Sequence, residues 1–215
     1  TQAESSAASD VYKRQGENDW SDENWIEGVS DYFLSKTKAE KAAWRLMESK
    51  GLKNKLTTIN PGGVFGDALD KKGGTSIEYI RQFMKGKFPG APKFAVLISD
   101  VKDIAKAHVA CIGNNKVGGR RLIVGKDVKR LVELSQLIAE AMPEYKKKLP
   151  TKELPNLMVK LISYIDSSAK TMIPDLGIMM QTDTSYAEEI LGFKFKPAKG
   201  CISENAKSVV RLGLV

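Results

Sequence analysis

The sequence predicts an α/β fold with a parallel sheet and a smaller, mostly helical lobe. Between residues 32 and 142, short β-branched segments alternate with amphipathic helical segments, the order expected when helices connect parallel strands. After residue 142 the predicted elements are helices and loops, so this part is assigned to the smaller lobe. With 42% hydrophobic and 28% charged residues, the composition is that of an ordinary globular domain.

The helices are predicted from the spacing of apolar residues and from the signals at their ends. The first, residues 32–50, is rich in Ala, Lys, Glu and Leu, follows the candidate N-cap Ser30 and stops at Gly51. Further helices are expected at residues 76–85, 101–112, 131–142, 157–165, 185–191 and 203–212. The apolar face of the 101–112 helix carries His108, which we expect to be a packed side chain.

Three strands are predicted from short β-branched runs, at residues 55–60, 95–98 and 121–124. The first ends at Pro61-Gly62-Gly63, a turn that we expect to begin a loop reaching to about Gly74. None of the three strands is followed by G-x-G-x-x-G, the loop that cradles a pyrophosphate in dinucleotide-binding folds. The nearest run, residues 61–66, begins with proline and does not lead directly into a predicted helix.

Composition and motif spacing exclude several classes of function. His108 is the single histidine, which argues against a histidine-based zinc site or a Ser-His-Asp triad. Cys111 and Cys201 are expected to be reduced thiols. The net charge of +8 is spread along the chain, and the one lysine run, residues 146–148, has no interleaved aromatic residues, so no nucleic-acid partner is expected. Without a long apolar run or a signal peptide, we expect a cytoplasmic protein with no membrane partner.

Residues 1–15 are expected to be foreign to the protein. Residues 10–15 are what the nucleotides GATGTGTATAAGAGACAG encode, a string that resembles a transposase end used in preparing sequencing libraries. We therefore interpret residues 1–15 as a disordered sequencing-adapter artefact and residues 16–215 as the genuine sequence. Under this interpretation Ser5 and Ser6 carry no catalytic meaning.

A tyrosine and a lysine four residues apart carry the chemical signal of the sequence. Tyr32 and Lys36 stand near the start of the first predicted helix, so the four-residue spacing places them one turn apart on the same face. A nearby ammonium group and a helix N-terminus both favour the phenolate and would lower the pKa of the tyrosine from its ordinary value of about 10. Such a pair is a chemically sensible general acid for protonating a carbonyl oxygen. By itself, however, the spacing also fits two surface neighbours.

The surrounding residues resemble a known family. Six runs carry the resemblance: residues 19–22 (DWSD), 32–44 (YFLSKTKAEKAAW), 59–66 (INPGGVFG), 75–76, 99–108 (SDVKDIAKAH) and 206–214 (AKSVVRLGL). With these runs the chain is similar to the extended short-chain dehydrogenase/reductases, in the dihydroflavonol-4-reductase-like branch that includes aldehyde and methylglyoxal reductases. These runs follow the order and spacing of the family and cover nearly all of the chain after residue 15.

The resemblance implies a fold, a cofactor and a reaction. The fold would be the C-terminal part of a Rossmann-type parallel sheet with a smaller, mostly helical substrate lobe, truncated at its N-terminal end. The reaction would be reduction of a small aldehyde or ketone by NADP or NAD cofactors, with NADPH favoured. Tyr32 would be the catalytic acid, and Lys36 would both tune Tyr32 and bind the nicotinamide ribose. The residues implied to contact the cofactor are Tyr32, Lys36, Pro61, Gly62, Gly63, Val64 and Ser76.

Two other hypotheses about the function remain open. The same Tyr/Lys pair occurs in sugar-nucleotide epimerases and dehydratases and in hydroxysteroid dehydrogenase/isomerases, although the DWSD and AAW runs favour the reductases. A non-catalytic dinucleotide-binding protein is the third reading, against which the presence of both Tyr32 and Lys36 argues. By the resemblance, the catalytic serine and the Gly-rich loop would precede the genuine sequence, and no metal is expected.

Overall fold

The computed structural model describes residues 14–21, 31–72, 74–164, 173, 176–177, 179 and 181–215. Ser30, Asp22 and nearly all of the supposed adapter segment lie outside the described residues. The strands are β1 (Arg14–Gln15), β2 (Thr57–Pro61), β3 (Gly63–Phe65), β4 (Ala95–Asp100), β5 (Arg120–Val124), β6 (Val128–Arg130) and β7 (Gln181–Thr182). The α-helices are α1 (Asp31–Ser49), α2 (Thr75–Met84), α3 (Val101–Cys111), α4 (Leu131–Ala141), α5 (Asn156–Ile162), α6 (Ser185–Leu191) and α7 (Ala198–Arg211).

The predicted parallel α/β architecture is confirmed. Strand β2 pairs in parallel with β5, and β3 pairs in parallel with β4. Strand β6 runs antiparallel to β4, an edge that the sequence did not indicate. Helix α2 connects β3 to β4 and helix α3 connects β4 to β5, while α4 follows β6. Each of the three begins and ends within about two residues of its expected bounds, the usual uncertainty of helix ends.

A change of strand partner at Gly62 replaces the predicted loop. The chain leaves β2, which is paired with β5, and enters β3, which is paired with β4, with Gly62 between them. A Cβ atom on Gly62 would overlap the carbonyl oxygen of Leu97 and lie 2.6 Å from the Cβ of Leu97. The predicted loop over residues 63–65 was therefore wrong, because glycine here permits close approach to β4 rather than a departure from the sheet.

Two hydrophobic cores hold the strands and helices together. The first core joins β3 and β4 to α2, α4 and α7, and its largest fully buried side chains include Phe83, Ile98, Leu134 and Ile202. The second core joins β2 and β5 to α3 and α6 around Leu122, Val124 and Phe195. Helices α6 and α7 of the helical tail thus pack directly on the strands.

Helix α3 is rotated relative to the sequence prediction. Its buried residues are Asp103 and Ala107, whereas Val109 and Ile112 are 69% and 80% exposed. His108 is exposed, and its Nδ1 lies 2.8 Å from the carbonyl oxygen of Ile104 in its own helix. The prediction of a packed histidine was wrong because polar contacts fix the rotation: the Oδ2 of Asp103 accepts a 2.6 Å hydrogen bond from the backbone N–H of Lys196.

Two residues of the supposed adapter segment have an ordered pairing. Strand β1, Arg14–Gln15, runs parallel to β7, and the backbone N–H of Asp183 donates to the carbonyl oxygen of Gln15 at 2.8 Å. The backbone groups of these two residues thus find partners in β7, and the assignment of residues 1–15 to a disordered adapter segment stays a prediction. Among the described helices, none is both long enough and apolar enough to cross a membrane.

Candidate active site

Tyr32 and Lys36 occupy one exposed face of α1, as their spacing predicts. The Tyr32 side chain is 63% exposed, and the Lys36 Nζ lies 5.4 Å from the centre of its ring. The ring of Phe33 meets that of Tyr32 edge to face, with centroids 5.7 Å apart. Tyr32 is thus largely exposed, and a cation stands beside its ring.

Glu40 anchors the same helix one turn beyond Lys36. Its carboxylate accepts hydrogen bonds from Arg121 Nε at 2.8 Å, Thr58 Oγ1 at 2.7 Å, Asn60 Nδ2 at 2.9 Å and Trp44 Nε1 at 3.2 Å. Burial alone would raise the pKa of Glu40, but these hydrogen bonds outweigh burial and lower its pKa to about 2. Glu40 is therefore ionised at neutral pH, and its carboxylate fastens α1 to β2 and β5.

Arg121 connects this anchor to the loop that precedes α1. Its Nη1 donates to the carbonyl oxygens of Glu17 at 2.8 Å and Asp19 at 2.7 Å, while its Cζ stacks 3.7 Å from the centre of the Trp20 ring. Lys41 approaches the same ring at 5.3 Å. Asp19 and Trp20, the first two residues of the DWSD run, thus have a structural role, which is to seat the loop against β5 through one guanidinium group.

The turn at Gly62 is held by Ser99. The Gly62 N–H donates to the Ser99 Oγ at 2.9 Å, and the Ser99 hydroxyl donates to the Val124 carbonyl oxygen at 2.6 Å. Ser99 is fully buried, so both contacts are shielded from water. The Gly62 amide is therefore already engaged within the protein, whereas Pro61 and Val64 on either side are exposed.

The predicted site residues fall into two connected groups and one separate residue. The Tyr32/Lys36 pair is linked to the Pro61–Val64 segment through Glu40 and Asn60, since Asn60 immediately precedes Pro61. Ser76 lies in the first turn of α2 and is partly buried on a helix that packs in the first core. Its place beside a cofactor phosphate stays a prediction.

Other buried ionisable groups hold the fold together. The Glu188 carboxylate accepts hydrogen bonds from Lys126 at 2.7 Å and Lys194 at 2.9 Å, which more than offset burial and lower its pKa to about 2. Burial, reinforced by Asp100, raises the pKa of the Cys201 thiol well above its usual range, so this cysteine is a poor nucleophile. Among the described residues no cluster of three or more His, Cys, Asp or Glu side chains could hold a metal ion.

The sequence of the chain is similar to those of known reductases. The NADPH-dependent methylglyoxal reductase GRE2 of Saccharomyces cerevisiae is 29% identical over 210 residues, which are 91% of this chain and 56% of the relative. Cinnamoyl-CoA reductase 1 of Petunia hybrida is 27% identical over 195 residues, which are 90% of this chain and 52% of the relative. Over nine-tenths of its length the chain is thus similar to these two reductases. No family model matches it.

Solved structures support the same conclusion. Yeast methylglyoxal/isovaleraldehyde reductase Gre2, complexed with NADPH, superposes with a TM-score of 0.71 at 26% identity, covering 93% of this chain and 58% of that one. Vestitone reductase from alfalfa has the same fold, with a TM-score of 0.66 at 22% identity. The superposition covers 93% of this chain and 59% of the vestitone reductase chain. The resemblance to the dihydroflavonol-4-reductase-like branch and the Rossmann-type fold class is confirmed. The chain spans about half the length of the curated relatives it matches.

Sequence reasoning missed three residues that organise this candidate site: Glu40, Arg121 and Ser99. Glu40 continues the 32, 36 spacing by one more turn, and that periodicity could have revealed it. Arg121 and Ser99 had no such signal, because each acts on residues tens of positions away in the sequence.

Proposed function

We propose that this chain supplies the proton-donating side of an NADPH-dependent reductase of small aldehydes or ketones, an oxidoreductase of the class acting on CH–OH groups. The supporting observation is the exposed Tyr32 with Lys36 beside its ring, on a helix fastened by Glu40 to the strand that leads into Pro61. The yeast relative Gre2 is an NADPH-dependent reductase of methylglyoxal and isovaleraldehyde, which agrees with this chemistry.

The described residues fit the nicotinamide end of such a cofactor. Lys36 offers an exposed ammonium group that can donate to ribose hydroxyls, and exposed Pro61 and Val64 flank the turn proposed to line the ring. Gly62 contributes by allowing the close approach to β4, since its own amide is bound to Ser99. Within the described residues no strand runs through a Gly-rich turn into a helix, the element that would hold the pyrophosphate.

Proton transfer is the step that this chain's residues perform. A bound reduced nicotinamide supplies a hydride to the carbonyl carbon. The Tyr32 hydroxyl donates its proton to the carbonyl oxygen as negative charge develops there, so that the product is an alcohol and the tyrosine is left as phenolate. The Lys36 ammonium stabilises that phenolate until a proton from solvent restores it.

The test is an assay of the protein encoded by the complete gene. Loss of reduced-nicotinamide absorbance is followed with NADPH and with NADH, against methylglyoxal, isovaleraldehyde and an aromatic ketone. Sugar nucleotides and a hydroxysteroid are included as substrates of the alternative activities. We expect turnover of at least one carbonyl compound, and Tyr32→Phe to reduce kcat by about a hundredfold or more with cofactor affinity nearly unchanged. Epimerisation of a sugar nucleotide without carbonyl reduction, or full turnover by Tyr32→Phe, would contradict the proposal.

A further inference from the structure

We propose that Glu40 and Arg121 form a positioning pair that sets the placement of Tyr32 and Lys36 against the sheet. The inference rests on the proposed function for its catalytic consequence, but its structural part stands on the contacts of α1 with β2 and β5. Residues 32, 36 and 40 recur every four positions and so share a face of the helix. At a rise of about 1.5 Å per residue, Glu40 lies about 6 Å along the axis from Lys36 and about 12 Å from Tyr32.

The reason that an anchor is needed lies in the weak burial of the helix. Thr37 is its single buried residue, and the apolar side chains of Phe33 and Leu46 are 43% and 54% exposed. Hydrophobic packing therefore constrains the rotation of α1 poorly. Directional hydrogen bonds from β2 and β5 to one carboxylate supply the missing constraint, because each has a defined length and angle.

The contact between Glu40 and Arg121 fixes both the distance and the orientation of the two side chains. Arg121 meets Glu40 through two nitrogens, with Nε at 2.8 Å from Oε1 and Nη2 at 3.2 Å from Oε2. Such a two-point contact restricts both the distance and the orientation of the partners. Thr58 and Asn60 bind the same carboxylate from the neighbouring strand, so the helix is held at a defined height along two strands.

Arg121 also fixes the chain on the other side of the pair. Through the carbonyl oxygens of Glu17 and Asp19 and the face of Trp20, it holds the loop that comes about a dozen residues before Tyr32. Glu40 follows Tyr32 by two helical turns. The guanidinium group of Arg121 thus holds the chain both before and after the proposed acid. Precise placement matters because a shift of about 1 Å in a catalytic group can lower the rate about a hundredfold.

The structural test uses hydrogen exchange followed by mass spectrometry on this chain. Glu40→Gln keeps the size of the side chain and removes its charge. We expect amide exchange in residues 31–40 to become at least about tenfold faster, while exchange in α7 stays unchanged. The matched control is Glu48→Gln, which alters an exposed carboxylate of the same helix that pairs with Lys53. Arg121→Lys should speed exchange both in residues 31–40 and in residues 17–21, because lysine cannot make the two-point contact.

The outcomes separate this proposal from the proposed function. Unchanged exchange in residues 31–40, or an equal increase throughout the chain, would overturn the positioning role whether or not the protein is a reductase. In the active enzyme, we expect Glu40→Gln to lower kcat at least about tenfold and to change the KM for NADPH less than about threefold. The loss of kcat in the double variant Glu40→Gln/Arg121→Lys should be smaller than the product of the two single losses, because the contact between the two residues is removed only once. A wild-type protein inactive towards every carbonyl compound would count against the proposed function only.

Discussion

The Ser99 hydroxyl binds both Gly62 and Val124, and thereby joins the β2–β3 turn to the end of β5. The Gly62 N–H lies 2.9 Å from the Ser99 Oγ, which in turn donates to the Val124 carbonyl oxygen at 2.6 Å. The turn therefore has a fixed backbone conformation before any ligand arrives. If the residues around Gly62 line a nicotinamide ring, as we propose, Ser99 provides their rigidity.

Ser99→Ala should test this role directly. The substitution leaves the Gly62 amide without its acceptor and the Val124 carbonyl without its donor, so we expect a loss of about 1–3 kcal/mol in the free energy of unfolding. Urea denaturation measures it. Ser49→Ala is the matched control, because the Ser49 hydroxyl is exposed and bonds to the Leu46 carbonyl oxygen of its own helix. Equal stability of the two variants would contradict the assigned role.

Two glycine substitutions should have opposite effects. Gly62→Ala forces a methyl group into the backbone of Leu97, and we expect a loss of more than about 3 kcal/mol or failure to fold. Gly200→Ala places a methyl group inside α7, where the nearest atoms are in the flexible side chain of Lys196 at 3.4 Å. The gain in helix propensity should stabilise this variant by about 0.5–1 kcal/mol. Thermal unfolding of both variants measures the contrast, and similar midpoints would contradict it.

The pH dependence of stability should report the charge of Glu40. Because its pKa is lowered to about 2 in the folded protein from an ordinary 4.5, its stabilising effect is complete above about pH 4.5 and is lost as the pH falls towards 2. The stability difference between wild type and Glu40→Gln should therefore be about 2 kcal/mol smaller at about pH 3 than at about pH 6. Urea titrations at both pH values measure it. A stability difference that is independent of pH would show that the Glu40 charge is not engaged.

Lys36→Ala should impair both cofactor binding and turnover of the complete enzyme. The reason is that one ammonium group is proposed to contact the ribose and to stabilise the phenolate of Tyr32. We expect the Kd for NADPH to rise and kcat to fall by about tenfold or more each, with a changed pH–rate profile. Lys38→Ala, at an exposed position on the same helix, is the control. If titration and pH profile both match those of wild type, Lys36 is a surface residue only.

The chain as given should not bind NADPH tightly. Dinucleotide affinity in these folds depends heavily on a pyrophosphate seated against backbone N–H groups at a helix N-terminus after a Gly-rich turn. The predicted strands of this sequence lack such a turn. Isothermal titration of NADPH into the chain is the measurement, and we expect no saturation at micromolar concentrations. Micromolar affinity would show that residues other than a Gly-rich loop hold the cofactor.

Local sequence patterns determined the helices, the three main strands and the proposed acid. Gly51 ends α1 with a φ of 66°, as a glycine at that place predicts, and the four-residue spacing put Tyr32 and Lys36 on one face. These features depend on residues within a few positions of each other, which is why a single sequence reveals them. The family resemblance rested on the same short runs.

Tertiary contacts decided what the local patterns could not. The apolar spacing of residues 104–112 predicted the wrong buried face for α3, because the contact of Asp103 with the Lys196 amide fixes its rotation across more than ninety positions of sequence. Gly62 looked like the start of a loop and is instead a point of close strand contact, which only the position of Leu97 reveals. The anchoring of α1 likewise depends on Arg121, 81 positions beyond Glu40. Hydrogen bonds and steric contacts between distant segments exist only after the chain has folded. The sequence could therefore predict Tyr32 as the acid, whereas only the tertiary structure shows which contacts hold its helix in place.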